Sequence, residues 1–478
     1  MAKPAGRRIF WILWGVLSVS IGGYLAAGML WKGAANHPLL SPARAMLLPG
    51  KTTHGHYQIE LACESCHVSK FGGRESLQES CERCHGQELK DAVDKHPRSK
   101  FTDPRNADRL EKLDALLCVT CHVEHRPEIT GRLGVTLAAD FCFNCHQDIA
   151  KDRPSHAGMA FDTCNSAGCH KYHDNRALYE DFLVKHLDEP KHLARQWLPK
   201  RNFREVAAEF PGYPADRFPV KPQTAPDAPA GLMQSKDIAA DWLATAHARS
   251  GVNCSGCHQA EMEGAKQWVQ RPDHKVCATC HEPESKGFLA GKHGMRLAAG
   301  LSPMTPGQAR QPMHDKARDT ALGCTTCHGA HRFDTQKAAV DACVGCHRDE
   351  HTAAYERSPH YALWQQELAG ALPPGSGVSC ASCHLPRDEY RAPDGGGKRV
   401  LVQHNQSDNL RPGEKMLRPV CMNCHGLGFA TDALADRTLV DNNFRGEPGV
   451  HIRSLDMVAQ RMKALAEKRR QDAAGKKQ

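Results

Sequence analysis

The chain has 478 residues, only 6% of them aromatic, and a mean hydropathy of −0.54. That composition excludes a bundle of membrane helices and a large core built from side chains alone. Sixty-two basic against 54 acidic residues leave a net charge of +8, a balance that gives no reason to expect a nucleic-acid partner.

The first predicted element is Ile9–Leu30, IFWILWGVLSVSIGGYLAAGML, with no charge in it. At 1.5 Å per residue such a run spans a hydrocarbon core of about 30 Å. Arg7 and Arg8 precede it, which puts the N-terminus in the cytoplasm. Trp11, Trp14 and Trp31 stand where interfacial aromatics belong. Cleavage near Ala34–Ala35 is the alternative, but the apolar region of a signal peptide is normally about 7–15 residues long. Residues 1–35 are therefore expected to be an anchor, with the rest of the chain exported to the periplasm.

Beyond the anchor the cysteines take over. All 22 fall in close pairs followed at once by histidine. Ten pairs read C-x-x-C-H: Cys63/Cys66/His67, Cys81/Cys84/His85, Cys118/Cys121/His122, Cys142/Cys145/His146, Cys254/Cys257/His258, Cys277/Cys280/His281, Cys324/Cys327/His328, Cys343/Cys346/His347, Cys380/Cys383/His384 and Cys421/Cys424/His425. The eleventh is wider, Cys164 then Cys169 and His170. Two thiols at this spacing add across the vinyl groups on one edge of a haem, and the next residue lies beneath the iron as its proximal ligand. A thioredoxin-like pair, a zinc ribbon or a disulfide needs no histidine after each pair. Eleven covalent haem c groups are expected. Each ferric haem with ionised propionates carries one net negative charge, so the loaded protein stands at about −3 oxidised and about −14 reduced.

Five motifs lie within a predicted domain over 50–188 and six within another over 235–453, with a proline-rich linker or extended strap at 189–234 between them. Residues 454–478 read as an amphipathic helix with a basic end. The fold class expected is mainly α with extensive loops, little or no β-sheet, and two haem-packed domains behind an N-terminal transmembrane helix.

Eighteen of the 29 histidines are left once each motif has taken one. Histidine is the usual sixth ligand of a haem that only transfers electrons. The candidates in the first group are His54, His56, His96, His125, His156, His173, His186 and His192. In the second they are His247, His274, His293, His314, His331, His351, His360, His404 and His451. His125, His173 and His331 stand three residues after a proximal histidine and are expected to reach a neighbouring haem.

The five-motif block, with its dense spacing, C-H-x-x-H repeats and single C-x4-C-H, resembles class III cytochromes c. That resemblance implies bis-histidine, low-potential electron carriers. The second block resembles the hydroxylamine oxidoreductase and octahaem cytochrome superfamily in Trp242–His247 running into GVNCSGCH, in SPHYALW at 358–364 before GVSCASCH, and in His404 before VCMNCHGLGFA. It departs in having six motifs and no tyrosine after Tyr390, which speaks against hydroxylamine oxidation. The function expected is electron transfer between the quinone pool or a membrane redox complex and a soluble acceptor, such as another periplasmic cytochrome or a terminal reductase. The alternative is a reductase acting on a small nitrogen or sulfur compound at one open haem.

Overall fold

The computed structural model describes residues 5–69, 72–92, 96–164, 172–173, 180–194, 198–210, 212–214, 216, 223–233, 236–262, 264–392, 395–410 and 413–475. About half of the chain is helical, mostly in segments of one or two turns, with two small sheets. This is the mainly α architecture expected of a chain whose apolar interior comes from a prosthetic group.

Helix α1 (Ala5–Leu30) is long and apolar enough to cross a membrane, and none of it is buried within the protein. Helix α2 (Ser41–Met46) follows, begun by Pro42 in its first turn, where the missing N–H costs nothing. Helix α3 (Arg74–Asp91) carries the motif Cys81–His85 inside it. Packing divides the chain at Cys164. One compact unit holds Met1–Thr163 with Met295–Pro303, and the other holds Cys164–Gly294 with Met304–Gln478.

The second unit carries both sheets. Hairpin β1 (Gln259–Met262) and β2 (Ala265–Trp268) pairs antiparallel with Gln259 opposite Trp268, and β3 (Arg387–Arg391) pairs with β4 (Lys398–Val402) with Arg387 opposite Val402. Its conventional core is small: Leu183, Leu417, Leu427, Ala430 and Val458, joined by Leu455 and Met462 of helix α4 (Ser454–Gly475). Residues 180–194 belong to this unit because Leu183 is part of that cluster. The described part of 189–234 is an ordered strap in its own unit. Leu198 N–H donates to Gly375 O at 2.9 Å, Gln223 N–H to Ala248 O at 2.9 Å, and the Asp227 carboxylate accepts from Ser255 N–H at 2.9 Å.

Candidate haem centres

Each described motif is a tight turn whose backbone gathers the chemistry on one side. In six of them the histidine N–H closes on the carbonyl of the first cysteine: His67, His122, His146, His281, His347 and His425, at 2.8–3.0 Å. The other four lie in helical segments, Cys81–His85 within α3 and Cys254–His258, Cys324–His328 and Cys380–His384 each as a single turn. Side-chain caps start two of these, Asn253 accepting from Cys254 N–H and Ser379 from Ser382 N–H. All described cysteines are reduced thiols, standing where thioether sulfurs stand in a loaded cytochrome. Cys169 and His170 lie outside the described residues.

Three cysteines of the expected haem-binding set depart from the equivalence that the repeated motif implies: Cys84, Cys257 and Cys280, each the second thiol of its pair. Cys84 is exposed rather than half-buried like the other described cysteines, because α3 runs on through its motif and carries that thiol at the surface. Cys280 Sγ accepts a hydrogen bond from its sequence neighbour, Thr279 Oγ1, at 3.8 Å. Cys257 is half-buried, but the bonds from Asn253 and Asp227 that order its turn go to the Cys254 and Ser255 N–H groups and not to it, so the helical turn carries its thiol. None of the three is in a disulfide, and each keeps the place from which a second thioether forms.

Eight motif histidines face a second imidazole across a nearly constant gap. Centroid separations are 6.0 Å for His85–His56, 6.2 Å for His146–His96, 5.9 Å for His258–His331 and 6.1 Å for His281–His247. They are 6.3 Å for His328–His404, 6.1 Å for His347–His293, 6.1 Å for His384–His351 and 6.3 Å for His425–His360. A metal–nitrogen bond of about 2.0 Å on each side, plus about 1.1 Å from nitrogen to ring centre, sets two imidazoles on one iron about 6 Å apart. Direct ring packing is closer, as in the stack of His258 on Trp268 at 4.9 Å. The residues present therefore fit a haem iron between each pair. Among the described residues no three His, Cys, Asp or Glu converge on another kind of metal cage.

Hydrogen bonds to Nδ1 turn the other ring nitrogen, Nε2, toward the gap, the outer-shell arrangement that orients metal-bound histidine. Nδ1 meets a backbone carbonyl in His122 (Gly134 O, 3.0 Å), His258 (Val269 O, 2.8 Å), His351 (Val440 O, 2.5 Å), His404 (Val402 O, 2.9 Å) and His425 (Lys191 O, 3.1 Å). His56 Nδ1 instead meets the Glu124 carboxylate at 2.6 Å. Burial works against that carboxylate, but the bonds from His56, Thr53 N–H and Thr53 Oγ1 outweigh it and hold its pKa at about 2. Burial pushes His281, His293, His360 and His384 down to about 4, and moves His247, His328, His331, His347 and His404 in the same direction. A neutral imidazole is the form that offers iron a lone pair.

The remaining candidates are placed otherwise. His451 is a correction: its Nδ1 meets Asp432 at 2.9 Å and its Nε2 meets Asp456 at 2.8 Å, so both ring nitrogens are committed, and these carboxylates raise its pKa to about 9. No ring contact joins His125, His186, His274 or His314 to a motif histidine among the described residues. His125 Nδ1 is bonded to Gly50 O at 2.8 Å, His186 to Glu189 at 2.5 Å, and His274 to Asp273, while His314 donates its backbone N–H to Cys346 O at 2.9 Å. His54 lies 5.7 Å from Tyr57, His173 5.0 Å from Tyr172, and His156 Nδ1 3.1 Å from Ser155 Oγ. His192 is exposed and sits 5.1 Å from His425, too close for an iron between them.

Two further features suit haem. Arg44 Nε and Arg201 Nε are buried with no acceptor among the described residues, and such donors suit propionates. Motif thiols also meet in chain order: Cys81 with Cys118, Cys277 with Cys324, and Cys343 with Cys380. Cys383 in turn feels the charge of Cys421 and Cys424. Sequence reasoning had no signal for these neighbours, because they are set by how the turns stack.

A family model described as cytochrome c3 matches twice, at residues 55–147 and 246–348. The chain is a multihaem c-type cytochrome. No curated protein and no solved structure matches it. The two matched segments of the cytochrome carry the same histidine pattern. His56 and His247 each stand seven residues before the first cysteine of their segment, and His125 and His331 each stand three residues after the third motif histidine. The pairings follow the pattern too: His56 and His247 face the second motif histidine, and His96 and His293 face the fourth.

Proposed function

We propose that the cytochrome is a membrane-anchored conduit on the periplasmic side of the cytoplasmic membrane, passing electrons between the quinone pool or a membrane redox complex and a soluble acceptor. Eleven haems c are held by the 22 motif cysteines, with the motif histidines as proximal ligands. Each bound haem supplies one-electron iron(III)/iron(II) cycling. The eight imidazole pairs near 6 Å carry the reading. Two histidines fixed by Nδ1 bonds and burial hold an iron six-coordinate in both oxidation states, so little rearranges when the electron moves. The thiol contacts give the order of neighbours, 277 to 324 and 343 to 380 in the second unit. By the repeat, His125 serves the haem of Cys63/Cys66/His67, as His331 serves that of Cys254/Cys257/His258.

All six motif histidines of the second block have a histidine opposite, which weighs against an open, substrate-reducing haem there. The test is the ferric EPR spectrum of the holoprotein with carbon monoxide titration of the reduced form. Low-spin signals throughout and no carbon monoxide adduct support the conduit. One stoichiometric adduct at a second-block haem, with nitrite- or hydroxylamine-dependent reoxidation, favours the reductase. Denatured mass spectrometry should show eleven haem additions, and carbonate-washed membranes should retain the chain.

A further inference from the structure

In the first unit, the exported end of the membrane helix meets the first haem motif through one short element. After α1 the chain turns at Gly33, whose φ of 93° is a left-handed conformation suited to glycine. The indole of Trp31 then stacks on His37, with centroids 6.0 Å apart and planes at 25°. Helix α2 packs back on α1 so closely that a Cβ at Gly28 would lie 2.8 Å from Ala43 Cβ. From α2, buried Arg44 pairs with Glu64 and hydrogen-bonds Cys63, both inside the first motif. Six residues thus connect the membrane surface to a haem.

The outer side of this connection is apolar and uncovered: Leu39 is 71% exposed, Met46 74% and Trp31 61%. In water such a patch is unfavourable, while at the headgroup level of a bilayer it is satisfied. His37 stands in that patch. It faces no motif histidine among the described residues, and its Nδ1 accepts the Leu39 N–H at 3.3 Å, which leaves the proton of the neutral ring on Nε2.

We propose that Trp31, His37, Leu39 and Met46 form a ledge for the head group of a membrane-dissolved hydroquinone, with the haem of the Cys63 motif as first acceptor. This rests on the conduit reading above. The flat head group matches the aromatic faces of Trp31 and His37, His37 Nε2–H donates to a head-group oxygen, and the lipid tail stays in the bilayer along Leu39 and Met46. The hydroquinone loses two electrons and two protons. The electrons leave singly to two ferric haems of the chain, the protons pass to water on the exported side, and the quinone departs.

The full-length holoprotein in phosphatidylcholine vesicles tests this with a short-tailed naphthohydroquinone as donor and dithionite as a donor that needs no ledge. His37→Ala and Leu39→Ser/Met46→Ser should slow hydroquinone-driven haem reduction about tenfold or more, equivalent to ~1.4 kcal/mol in barrier. Haem count, EPR signals and dithionite reduction should stay as in the parent chain. A photoactivatable azidoquinone should label residues 31–47 of the parent chain, in competition with the hydroquinone. Unchanged hydroquinone rates in both variants, or labelling confined elsewhere, overturn the ledge and leave the conduit standing. A parent chain that dithionite reduces fully but that neither takes electrons from hydroquinone nor gives them to quinone overturns the ledge together with the quinone link.

Discussion

In residues 55–147 the histidine before the first motif, His56, gives its Nδ1 to the Glu124 carboxylate at 2.6 Å. In residues 246–348 its counterpart, His247, has a buried Nδ1 with no partner among the described residues. Both rings face the second motif histidine of their segment at almost the same distance, 6.0 and 6.1 Å. One ligand geometry is thus built twice, and the surroundings differ. A carboxylate on Nδ1 makes the imidazole a stronger donor and favours iron(III), whereas a dry ring without a partner does not. Repetition fixes where haems sit, and the second layer of contacts sets how readily each takes an electron.

The largest test breaks the equivalence itself. His331→Ala should open the haem of Cys254/Cys257/His258, and His125→Ala that of Cys63/Cys66/His67. Each variant should convert one low-spin signal per chain to high-spin and raise that haem's potential by on the order of 100 mV, a fraction of the span that axial ligands command. A low-spin His125→Ala protein alongside a high-spin His331→Ala protein would show that the copies are wired differently at this position.

Glu124→Gln sharpens the comparison from the other side. Replacing a charge-assisted bond by a neutral one removes about 1 kcal/mol of preference for iron(III), close to 50 mV for one electron. One potential should rise by that amount in an EPR-monitored titration, toward the value at His281. A titration superimposable on that of the parent chain would mean that Glu124 only holds Thr53 and His56 in place.

The turn that carries His247 also differs between copies. Gly251 has φ of 84°, and Val252 N–H closes on His247 O at 2.9 Å. The corresponding position of the first copy is Glu60, with φ of −59°. Gly251→Ala should cost about 1–2 kcal/mol for the left-handed conformation and lower the melting temperature by a few degrees. Glu60→Gly should not reproduce that effect.

Much of this was legible in the sequence because haem chemistry is local. Cys-x-x-Cys-His spacing names the turn, and the low aromatic content announces short helices around an interior supplied from outside. The uncharged run Ile9–Leu30 forms a helix of bilayer length. Differences among the turns were not legible: the same spacing leaves Cys84 exposed on α3 and Cys280 bonded to Thr279. Nor was partner choice. His293 faces His347 and His404 faces His328 across 54 and 76 residues, and only the folded path of the chain brings them together. His451 has the residue type of a ligand but lies where Asp432 and Asp456 can take both its nitrogens, and spacing carries no sign of that. The strap over 189–234 shows the same limit: prolines predict an extended path, and only the bonds to Ala248, Ser255 and Gly375 say what it crosses.

The second unit has a feature that the matched segments lack, a clamp beyond its last motif. His451 bridges Asp432, which follows the motif of Cys421–His425, and Asp456 in the first turn of α4. Asp432 Oδ1 also accepts Ile452 N–H at 2.7 Å. The imidazolium is the charged form that both carboxylates favour, so its folded pKa lies near 9, above the ordinary value of 6.5. A raised folded pKa means that the stabilisation is complete below about 6.5 and is lost as pH rises through about 9. The ring is exposed, so solvent screens the interaction and the effect should stay local. Between pH 7 and 10, limited proteolysis should grow faster at residues 449–456 than at the motifs. His451→Gln should remove that pH dependence while leaving all haem signals low-spin. A loss of one low-spin signal in that variant would instead make His451 an iron ligand and undo its separation from the paired histidines.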